Sequence, residues 1–206
     1  IETKFIMGLR VTDEKVISVV ESVMIELNKE IVEALMKKGF KAKSITVKEN
    51  NVIYVEQKNI ELGFVGKPTR VDDKIIKSLI KDNVIPVVSP MGVDEKKQTY
   101  NINADTAAGT LARSLKSRRL LLMTDVEGVY DKNKKIISEI KSNQAEELIY
   151  DETISEGMIP KIRTCINAIN DGVRAVVIID GRKPHSILFE LFSDKGSGTL
   201  IRKWNT

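Results

Sequence analysis

The sequence predicts an α/β protein: a three-layer fold with a mainly parallel central sheet, helices on both faces and a β-hairpin. Two sets of segments lead to this fold class. Three β-branched runs have the length of buried strands, namely Val84–Val88, Leu120–Met123 and Ala175–Ile179. Four helical patterns lie beside them, over residues 72–82, 103–116, 154–171 and 184–192. Strands that alternate with helices in this way favour a parallel sheet covered on both faces.

A longer helix is predicted before most of these segments, over residues 13–38. Thr12 is its expected N-cap, because a side-chain oxygen at that position can accept a hydrogen bond from the first turn. Lys37, Lys38 and Gly39 mark its end. The apolar residues of the helix share a three-to-four spacing that predicts one buried stripe: Val16, Val20, Val23, Leu27, Ile31 and Ala34.

A hairpin is predicted over residues 44–56, because the pattern alternates on both sides of Glu49-Asn50-Asn51 and Asn tolerates the left-handed conformation of such turns. Further along, three polar pairs directly follow predicted strands: Ser89-Pro90, Thr124-Asp125 and Asp180-Gly181. In open α/β sheets, ligands bind beyond the carboxyl ends of the strands. We therefore expect a binding site at these strand ends.

The composition is typical of a globular protein. The 206 residues, of which 42% are hydrophobic and 30% charged, can bury one core of normal size or two small ones. The net charge of +4 arises from 33 basic and 29 acidic residues that are intermixed, without the basic–aromatic alternation of a nucleic-acid-binding surface. No apolar run approaches the roughly 18–20 residues of a membrane helix. The single Cys excludes an internal disulfide and suits a reducing compartment.

Residues Tyr100–Asp105, with the sequence Tyr-Asn-Ile-Asn-Ala-Asp, are the most informative segment. Two amide side chains and a carboxylate stand directly before an Ala-rich helical pattern. Asn is a favourable N-cap, and Asp105 would lie in the first turn, where the helix dipole favours an anion. Considered alone, the segment is equally well explained as an ordinary capped helix.

Five other motifs accompany this segment in a fixed order: Gly8-Leu9-Arg10-Val11-Thr12-Asp13, Thr124–Asp131, Gly157-Met158-Ile159-Pro160-Lys161, Ile179-Asp180-Gly181-Arg182 and Gly198-Thr199-Leu200-Ile201. Their order and spacing resemble the acetylglutamate kinases of the amino-acid kinase family, along nearly the whole chain. The fold that this resemblance implies is the amino-acid kinase-like sandwich, which agrees with the fold class predicted from the pattern.

The resemblance covers the C-terminal two-thirds of such an enzyme. Family members carry two glycine-rich loops and a catalytic lysine ahead of the first motif, whereas this chain opens at Ile1 without a Met and contains no Gly-Gly pair. We therefore expect these 206 residues alone to bind adenine nucleotide weakly and to lack appreciable kinase activity. The resemblance divides them into the remainder of an acetylglutamate-binding lobe, residues 1–90, and an ATP-binding lobe, residues 91–206.

The resemblance also assigns roles residue by residue. It implies that Arg10 holds the α-carboxylate of the acceptor and that Asn101 also contacts this substrate. It implies two catalytic residues: Lys161, which neutralises charge developing on the phosphoryl group, and Asp105, which orients the catalytic lysines. The nucleotide contacts that it implies are Asp125, Val126, Glu127, Gly128, Val129, Tyr130, Thr153, Ile154 and Ser155.

Each of these residues also has a purely structural interpretation. Arg10 could form a surface ion pair with Asp13, and Asp105 could serve only as a capping residue at the start of the helix. Residues 125–130 could be a simple strand-to-loop turn. Lys161 could be a solvated side chain at the edge of an apolar helical stripe, which also assigns the only Cys to the core; the stripe is Met158, Ile162, Cys165, Ile166 and Ile169.

The function implied by the resemblance is phosphorylation of the side-chain carboxylate of N-acetyl-L-glutamate in arginine biosynthesis, with ATP and Mg²⁺ as cofactors. A carboxylate acceptor with a reference pKa of about 4.3 is already ionised at pH 7, so no general base is required. The resemblance further implies a homo-oligomer, either a dimer or a hexamer, with a nitrogen-signalling regulatory protein as a further candidate partner. Neither nucleic acid nor membrane is an expected partner. The expected location is the cytoplasm, with the plastid stroma as the alternative.

Two alternatives stay open at this point. One is an aminoadipate-type kinase of lysine biosynthesis, although Leu9-Arg10-Val11 favours acetylglutamate. The other is a non-catalytic fragment that binds a nucleotide or an effector. Three departures from the family pattern also stand out. Glu26-Leu27 replaces a common Gly-Lys, Thr46–Glu49 keeps Lys48 but lacks the glycine of a substrate-side motif, and Glu156 stands where a glycine often occurs.

Overall fold

The computed structural model describes residues 5–6, 9–155, 157–193 and 196–203. Residues 1–4, Gly8 of the first motif and Glu156 therefore lie outside the described residues. The polypeptide forms two compact units, Ile1–Leu111 (unit 1) and Ala112–Thr206 (unit 2). The boundary between the units lies later in the chain than the boundary between residues 90 and 91 that the resemblance implies. The strand that starts at Met91 pairs with an earlier strand of unit 1.

Unit 1 begins with β1 (Phe5–Ile6) and β2 (Leu9–Arg10), which pair antiparallel, followed by α1 (Glu14–Lys37). Its next elements are β3 (Ala42–Ile45), β4 (Ile53–Gln57), a short 3₁₀ helix (Ile60–Leu62), β5 (Gly66–Val71), α2 (Lys74–Lys81), β6 (Ile85–Val88), β7 (Met91–Val93) and β8 (Thr99–Asn101). One sheet has the order β5-β4-β7-β8, and β3 pairs in parallel with β6 in another. The buried core includes Ile45, Ile53, Ile76 and Met91.

Helix α1 has the predicted extent, but its cap and its buried face differ from the prediction. Asp13 is the N-cap instead of Thr12, since its Oδ1 accepts a hydrogen bond from the Val16 amide at 2.8 Å. Ile17 and Asn28 are buried, each one position beyond a residue of the predicted stripe. One position is a rotation of about 100°. The helix therefore turns a neighbouring face to the core and leaves much of the predicted stripe exposed.

The hairpin predicted over residues 44–56 is wrong, although its turn forms. Asn50 has a φ of +62°, and the Thr46 amide donates to the Glu49 carbonyl at 2.8 Å. The strands that leave this turn nevertheless belong to different sheets, because β3 pairs with β6 and β4 pairs with β5. The antiparallel hairpin of this region is β4–β5, which is connected through the 3₁₀ helix.

Helix α3 (Ala104–Ser114) crosses the boundary between the units, and unit 2 continues with β9 (Arg119–Thr124). The elements after β9 are β10 (Glu139–Lys141), α4 (Ser142–Tyr150), α5 (Met158–Asn170), β11 (Ala175–Asp180), α6 (Ser186–Phe192) and β12 (Gly198–Arg202). Their sheet has the order β10-β12-β11-β9, with β9 and β11 parallel and β12 antiparallel to β11. Val176–Ile179 on β11 are fully buried at its centre.

The predicted α/β class is confirmed. In both four-stranded sheets, parallel and antiparallel pairs alternate. The apolar stripe of α5 is also confirmed, because Ile162, Cys165, Ile166 and Ile169 are all buried. None of the helices in the described part of the chain combines the length and the hydrophobicity that crossing a bilayer requires.

Candidate functional site

The residues assigned to the acceptor lie in unit 1, around the segment 62–65. Thr12 exchanges two backbone hydrogen bonds with this segment, at 3.0 and 2.7 Å. The Asn101 amide donates to the Phe64 carbonyl of the same segment at 2.9 Å. One stretch of backbone therefore holds both the chain that follows Arg10 and the strand that carries Asn101. Arg10 and Asn101 belong to separate sequence motifs. In the structure, Thr12, two residues after Arg10, and Asn101 are both hydrogen-bonded through the backbone to residues 62–65.

Gly63 makes this close backbone approach possible. Its φ of +67° and ψ of −125° form a conformation that side-chain-bearing residues rarely adopt. A Cβ at this position would lie 2.3 Å from the Thr12 carbonyl oxygen. A glycine is therefore required both by the backbone conformation and by the space available.

Asp105 lies half-buried in the first turn of α3. The N-cap of this helix is Asn103, whose Oδ1 accepts a hydrogen bond from the Thr106 amide at 3.1 Å. Because Asn103 provides the cap, capping alone does not explain a carboxylate at position 105. A negatively charged side chain in the first turn interacts favourably with the positive end of the helix dipole.

The other acceptor-side residues differ in their surroundings. Arg10 is exposed on β2, and Asn101 is half-buried on β8. Lys48, which remains from the family's substrate-side motif, forms an ion pair with Glu21 of α1 at 2.8 Å. Lys48 thus has a carboxylate partner of its own within unit 1.

The residues assigned to the nucleotide begin directly after β9 in unit 2. Asp125 is exposed at the carboxyl end of this strand, whereas Val129 is buried. The chain then reverses at Asp131, whose Oδ1 accepts two amide hydrogen bonds within the turn, both at 2.8 Å. The two arms of the loop then meet, because the Ile137 amide donates a hydrogen bond to the Val129 carbonyl at 2.8 Å. We call residues 125–137 the β9–β10 loop.

An ion pair connects this loop to the second nucleotide segment, residues 153–155. Lys132 lies in the turn of the β9–β10 loop, and its Nζ is 3.1 Å from Asp151 Oδ2. Asp151 Oδ1 accepts the amide of Thr153 at 3.0 Å. The hydrogen bonds from Thr153, followed by the hydrogen bond from Lys132, lower the pKa of Asp151. The structure thereby brings together two segments that the sequence named separately, through a pair that no local motif marks.

Lys161 is half-buried in the first turn of α5. This helix follows residues 153–155 almost immediately, since the Met158 amide donates to the Ser155 carbonyl at 3.2 Å. The lysine charge and the positive end of the helix dipole therefore reinforce each other in the same turn. Such an arrangement favours an anion. The partial burial of Lys161 also argues against the interpretation as a freely solvated side chain.

The carboxyl end of β11 adds charged residues to which the sequence motifs assigned no role. Asp180 lies beside Thr124 in the parallel register, and its buried carboxylate receives a bidentate contact from Arg182, with both N–O distances at 3.0 Å. The hydrogen bonds from Arg182 lower the pKa of Asp180 to about 2. Lys183 pairs with Glu127 of the β9–β10 loop, and this contact raises the pKa of Lys183. The pair of Lys183 and Glu127 therefore connects the loop to the neighbouring strand end.

Two of the three predicted strand ends thus meet, at Thr124-Asp125 and Asp180-Gly181, because β9 and β11 are adjacent and parallel. The third, Ser89-Pro90, follows β6 in unit 1 and belongs to a different sheet. The acceptor residues named from the sequence lie in unit 1. Lys161 and the nucleotide segments lie in unit 2.

Known proteins of one family match nearly the whole length of this sequence. The sequence model of the amino acid kinase family matches residues 1–180. The chain is 59% identical over 203 residues to acetylglutamate kinase of Pelagibacter ubique (strain HTCC1062), which covers 98% of this chain and 70% of that protein. It is 46% identical over 217 residues to acetylglutamate kinase of Methylobacterium nodulans (strain LMG 21967 / CNCM I-2342 / ORS 2060), which covers 98% and 71%.

Solved structures show the same fold. The structure of smu.665 from Streptococcus mutans UA159 has a TM-score of 0.84 at 29% identity and covers 98% of this chain and 78% of that one. N-acetylglutamate synthase from Neisseria gonorrhoeae, complexed with coenzyme A and N-acetyl-glutamate, has a TM-score of 0.90 at 22% identity and covers 100% and 48%. The family match, the identity of the relatives and the motifs agree. This chain belongs to the amino acid kinase family.

Proposed function

We propose that this protein is an acetylglutamate kinase, which transfers the γ-phosphoryl group of MgATP to the side-chain carboxylate of N-acetyl-L-glutamate in arginine biosynthesis. The observation that carries the proposal is the 59% identity, over 98% of the chain, to an enzyme of that name. The order of the motifs along the chain supports it as well.

The acceptor side uses residues suited to an amino-acid derivative. A guanidinium binds a carboxylate through two parallel hydrogen bonds, which the Lys ammonium cannot do, so Arg10 holds the α-carboxylate. Asn101, fixed through its backbone to the same segment, supplies a neutral hydrogen-bonding group. The attacking carboxylate is already ionised at pH 7. Asp105 therefore has no proton to abstract and keeps the orienting role that the family resemblance gives it.

The nucleotide side uses the β9–β10 loop, residues 153–155 and the start of α5. Phosphoryl transfer depends chiefly on positioning and on positive charge around the transferring group. Lys161 provides that charge at a helix N-terminus, the usual position for a phosphate. Within the described residues, no group of three His, Cys, Asp or Glu side chains is arranged to hold a metal. Magnesium enters with ATP and is held largely by the phosphates of the nucleotide.

The acceptor is the point on which the principal alternative differs. An aminoadipate-type kinase would use a carboxylate whose carbon chain is one methylene longer. One methylene in a binding pocket is worth roughly 10–200-fold in selectivity. We therefore expect kcat/KM for N-acetyl-L-glutamate to exceed that for N-acetyl-L-aminoadipate by a factor in this range.

The test is a coupled ADP-release assay with the full-length protein, in which kcat/KM is measured for each acceptor separately at fixed MgATP. A preference for the aminoadipate derivative would refute the acetylglutamate assignment while leaving the kinase class intact. Nucleotide binding without turnover of either acceptor would instead support the non-catalytic alternative.

We also propose that the protein forms a dimer through α1. Four apolar residues of this helix are between 43% and 49% exposed and are spaced four apart: Val19, Val23, Leu27 and Ile31. Such a stripe fits the same face of a second copy in an isologous contact.

Leu27→Glu should convert the dimer to a monomer in light scattering. Lys29→Glu, at an exposed position on another face of α1, serves as the control and should stay dimeric. A monomeric parent protein would refute this interface.

A further inference from the structure

We propose that Thr199 is a positioning residue for the nucleotide, whose hydroxyl holds the β9–β10 loop in the conformation that binds ATP. This inference rests on the proposed function, because it takes that loop as part of the nucleotide site. Thr199 lies on β12, which is remote in sequence from the loop, and the Gly198–Ile201 motif that contains it has so far been given no role in binding.

The hydroxyl of Thr199 joins both arms of the loop to the sheet. Thr199 is fully buried. Its Oγ1 accepts a hydrogen bond from the Val129 amide at 2.8 Å and donates one to the Ile137 carbonyl at 2.7 Å. Val129 and Ile137 are themselves paired through the backbone at the base of the loop. A single side chain thus fixes the place where the loop leaves the sheet and the place where it returns.

The packing around this hydroxyl leaves the loop little freedom. A Cβ on Gly128 would lie 2.6 Å from Thr199 Oγ1, so the loop backbone passes directly over the hydroxyl. An amide and a carbonyl buried without partners are unfavourable, and a loop that lost both bonds would have to move to find new ones. Removing the hydroxyl should therefore displace the loop rather than leave it unchanged.

The consequence should be seen in nucleotide affinity. Val129 lies within the segment assigned to the nucleotide, whereas the charge that acts on the phosphoryl group belongs to Lys161 on α5. A loosened β9–β10 loop should raise the KM for ATP. The KM for acetylglutamate and the kcat at saturating ATP should change much less, because the acceptor residues and Lys161 are untouched.

The experiment compares three variants of the full-length protein. Thr199→Val keeps the shape of the side chain and deletes the hydroxyl, and Thr199→Ser keeps the hydroxyl and deletes the methyl group. Ile201→Ala is the control for simple destabilisation, since Ile201 is fully buried on the same strand and lies in register with Ile140 and Val176. Calorimetry with Mg²⁺ and the non-hydrolysable analogue AMP-PNP gives the Kd, and steady-state kinetics give each KM and kcat.

Thr199→Val should raise the Kd for the analogue roughly tenfold, as expected for the loss of two hydrogen bonds. Thr199→Ser should stay within about twofold of the parent. Ile201→Ala should lower the Tm without changing the Kd. Equal affinities for Thr199→Val and the parent would overturn the inference, as would an equal loss in Ile201→Ala. A parent protein that bound no nucleotide would overturn the proposed function and this inference with it.

Discussion

Replacement of Gly63 by Ala should destabilise unit 1 and weaken acceptor binding. Two costs can be worked out from the structure. The backbone at φ +67° and ψ −125° is sparsely populated for residues with a side chain, which costs about 1–3 kcal/mol. The new Cβ would also lie 2.3 Å from the Thr12 carbonyl oxygen, so the two hydrogen bonds between Thr12 and residues 62–65 must lengthen or break. Each is worth roughly 0.5–1.5 kcal/mol, for a total of about 2–6 kcal/mol.

Gly39 supplies a matched control. Its φ of +85° is also positive, but a Cβ there would meet no atom within 4 Å. Gly39→Ala should therefore cost only the conformational part, about 1–2 kcal/mol. Urea unfolding followed by circular dichroism measures both changes. In the active enzyme, Gly63→Ala should also raise the KM for acetylglutamate more than that for ATP. Equal loss of stability in the two variants would refute the close approach of residues 62–65 to Thr12.

Three further predictions concern charged residues. Arg10→Ala should raise the KM for acetylglutamate while leaving the fold and the KM for ATP nearly intact, because a charged hydrogen bond is worth roughly 1.5–3 kcal/mol; an unchanged KM would remove Arg10 from the site. Lys161→Met should lower kcat far more than substrate affinity, with little change in Tm; kcat within about threefold of the parent, or ~0.7 kcal/mol of barrier, would make the lysine structural. The folded-state pKa of Asp180 is about 2, below its ordinary value of 3.8, so its ionised form stabilises the fold above pH 3.8. That contribution is lost as the pH falls through about 2, and a plot of Tm against pH should be flatter over this window for Asp180→Asn; identical slopes would contradict the assignment.

Secondary structure could be predicted where the pattern was strongly periodic, as in α5 and β11. The buried face of α1 could not be predicted, because the helix carries two apolar stripes. One contains Ile17, and the other contains Val23 and Leu27. The packed face also includes a polar residue, Asn28, whose Nδ2 donates to the Val87 carbonyl at 2.8 Å. Hydrophobic spacing cannot predict a buried amide that is satisfied by a strand distant in sequence.

The hairpin at residues 44–56 shows a second limit. The turn chemistry was predicted correctly, but turn residues do not determine which strands pair. β3 pairs with β6, about 40 residues further along the chain. Helix α4 was not predicted at all. Its sequence has no wide apolar stripe, and Ala145 is its principal buried residue. Both the pairing of β3 and the formation of α4 depend on tertiary contacts.

The same distinction applies to the site. Motifs named the residues assigned to the substrates, because those motifs are local in sequence. The contacts that arrange them are not local. Lys132 and Asp151 connect the two nucleotide segments, and Thr199 reaches Val129 across 70 residues. Such contacts become visible only when the order of strands in the sheet is known.

The charges around the nucleotide segments divide into two groups with different tasks. Arg182 and Lys183 lie at the end of β11, and each contacts a carboxylate, on Asp180 and Glu127 respectively. Lys183 joins the end of β11 to the loop that carries Glu127, whereas the pair of Arg182 and Asp180 stays within the end of β11. Lys161 stands in the first turn of a 13-residue helix, where the dipole adds to its charge. Catalysis requires charge that acts more strongly on the transition state than on the ground state. Loss of charge at Lys161 should therefore change kcat, whereas loss of the contact between Lys183 and Glu127 should act on nucleotide affinity through the β9–β10 loop.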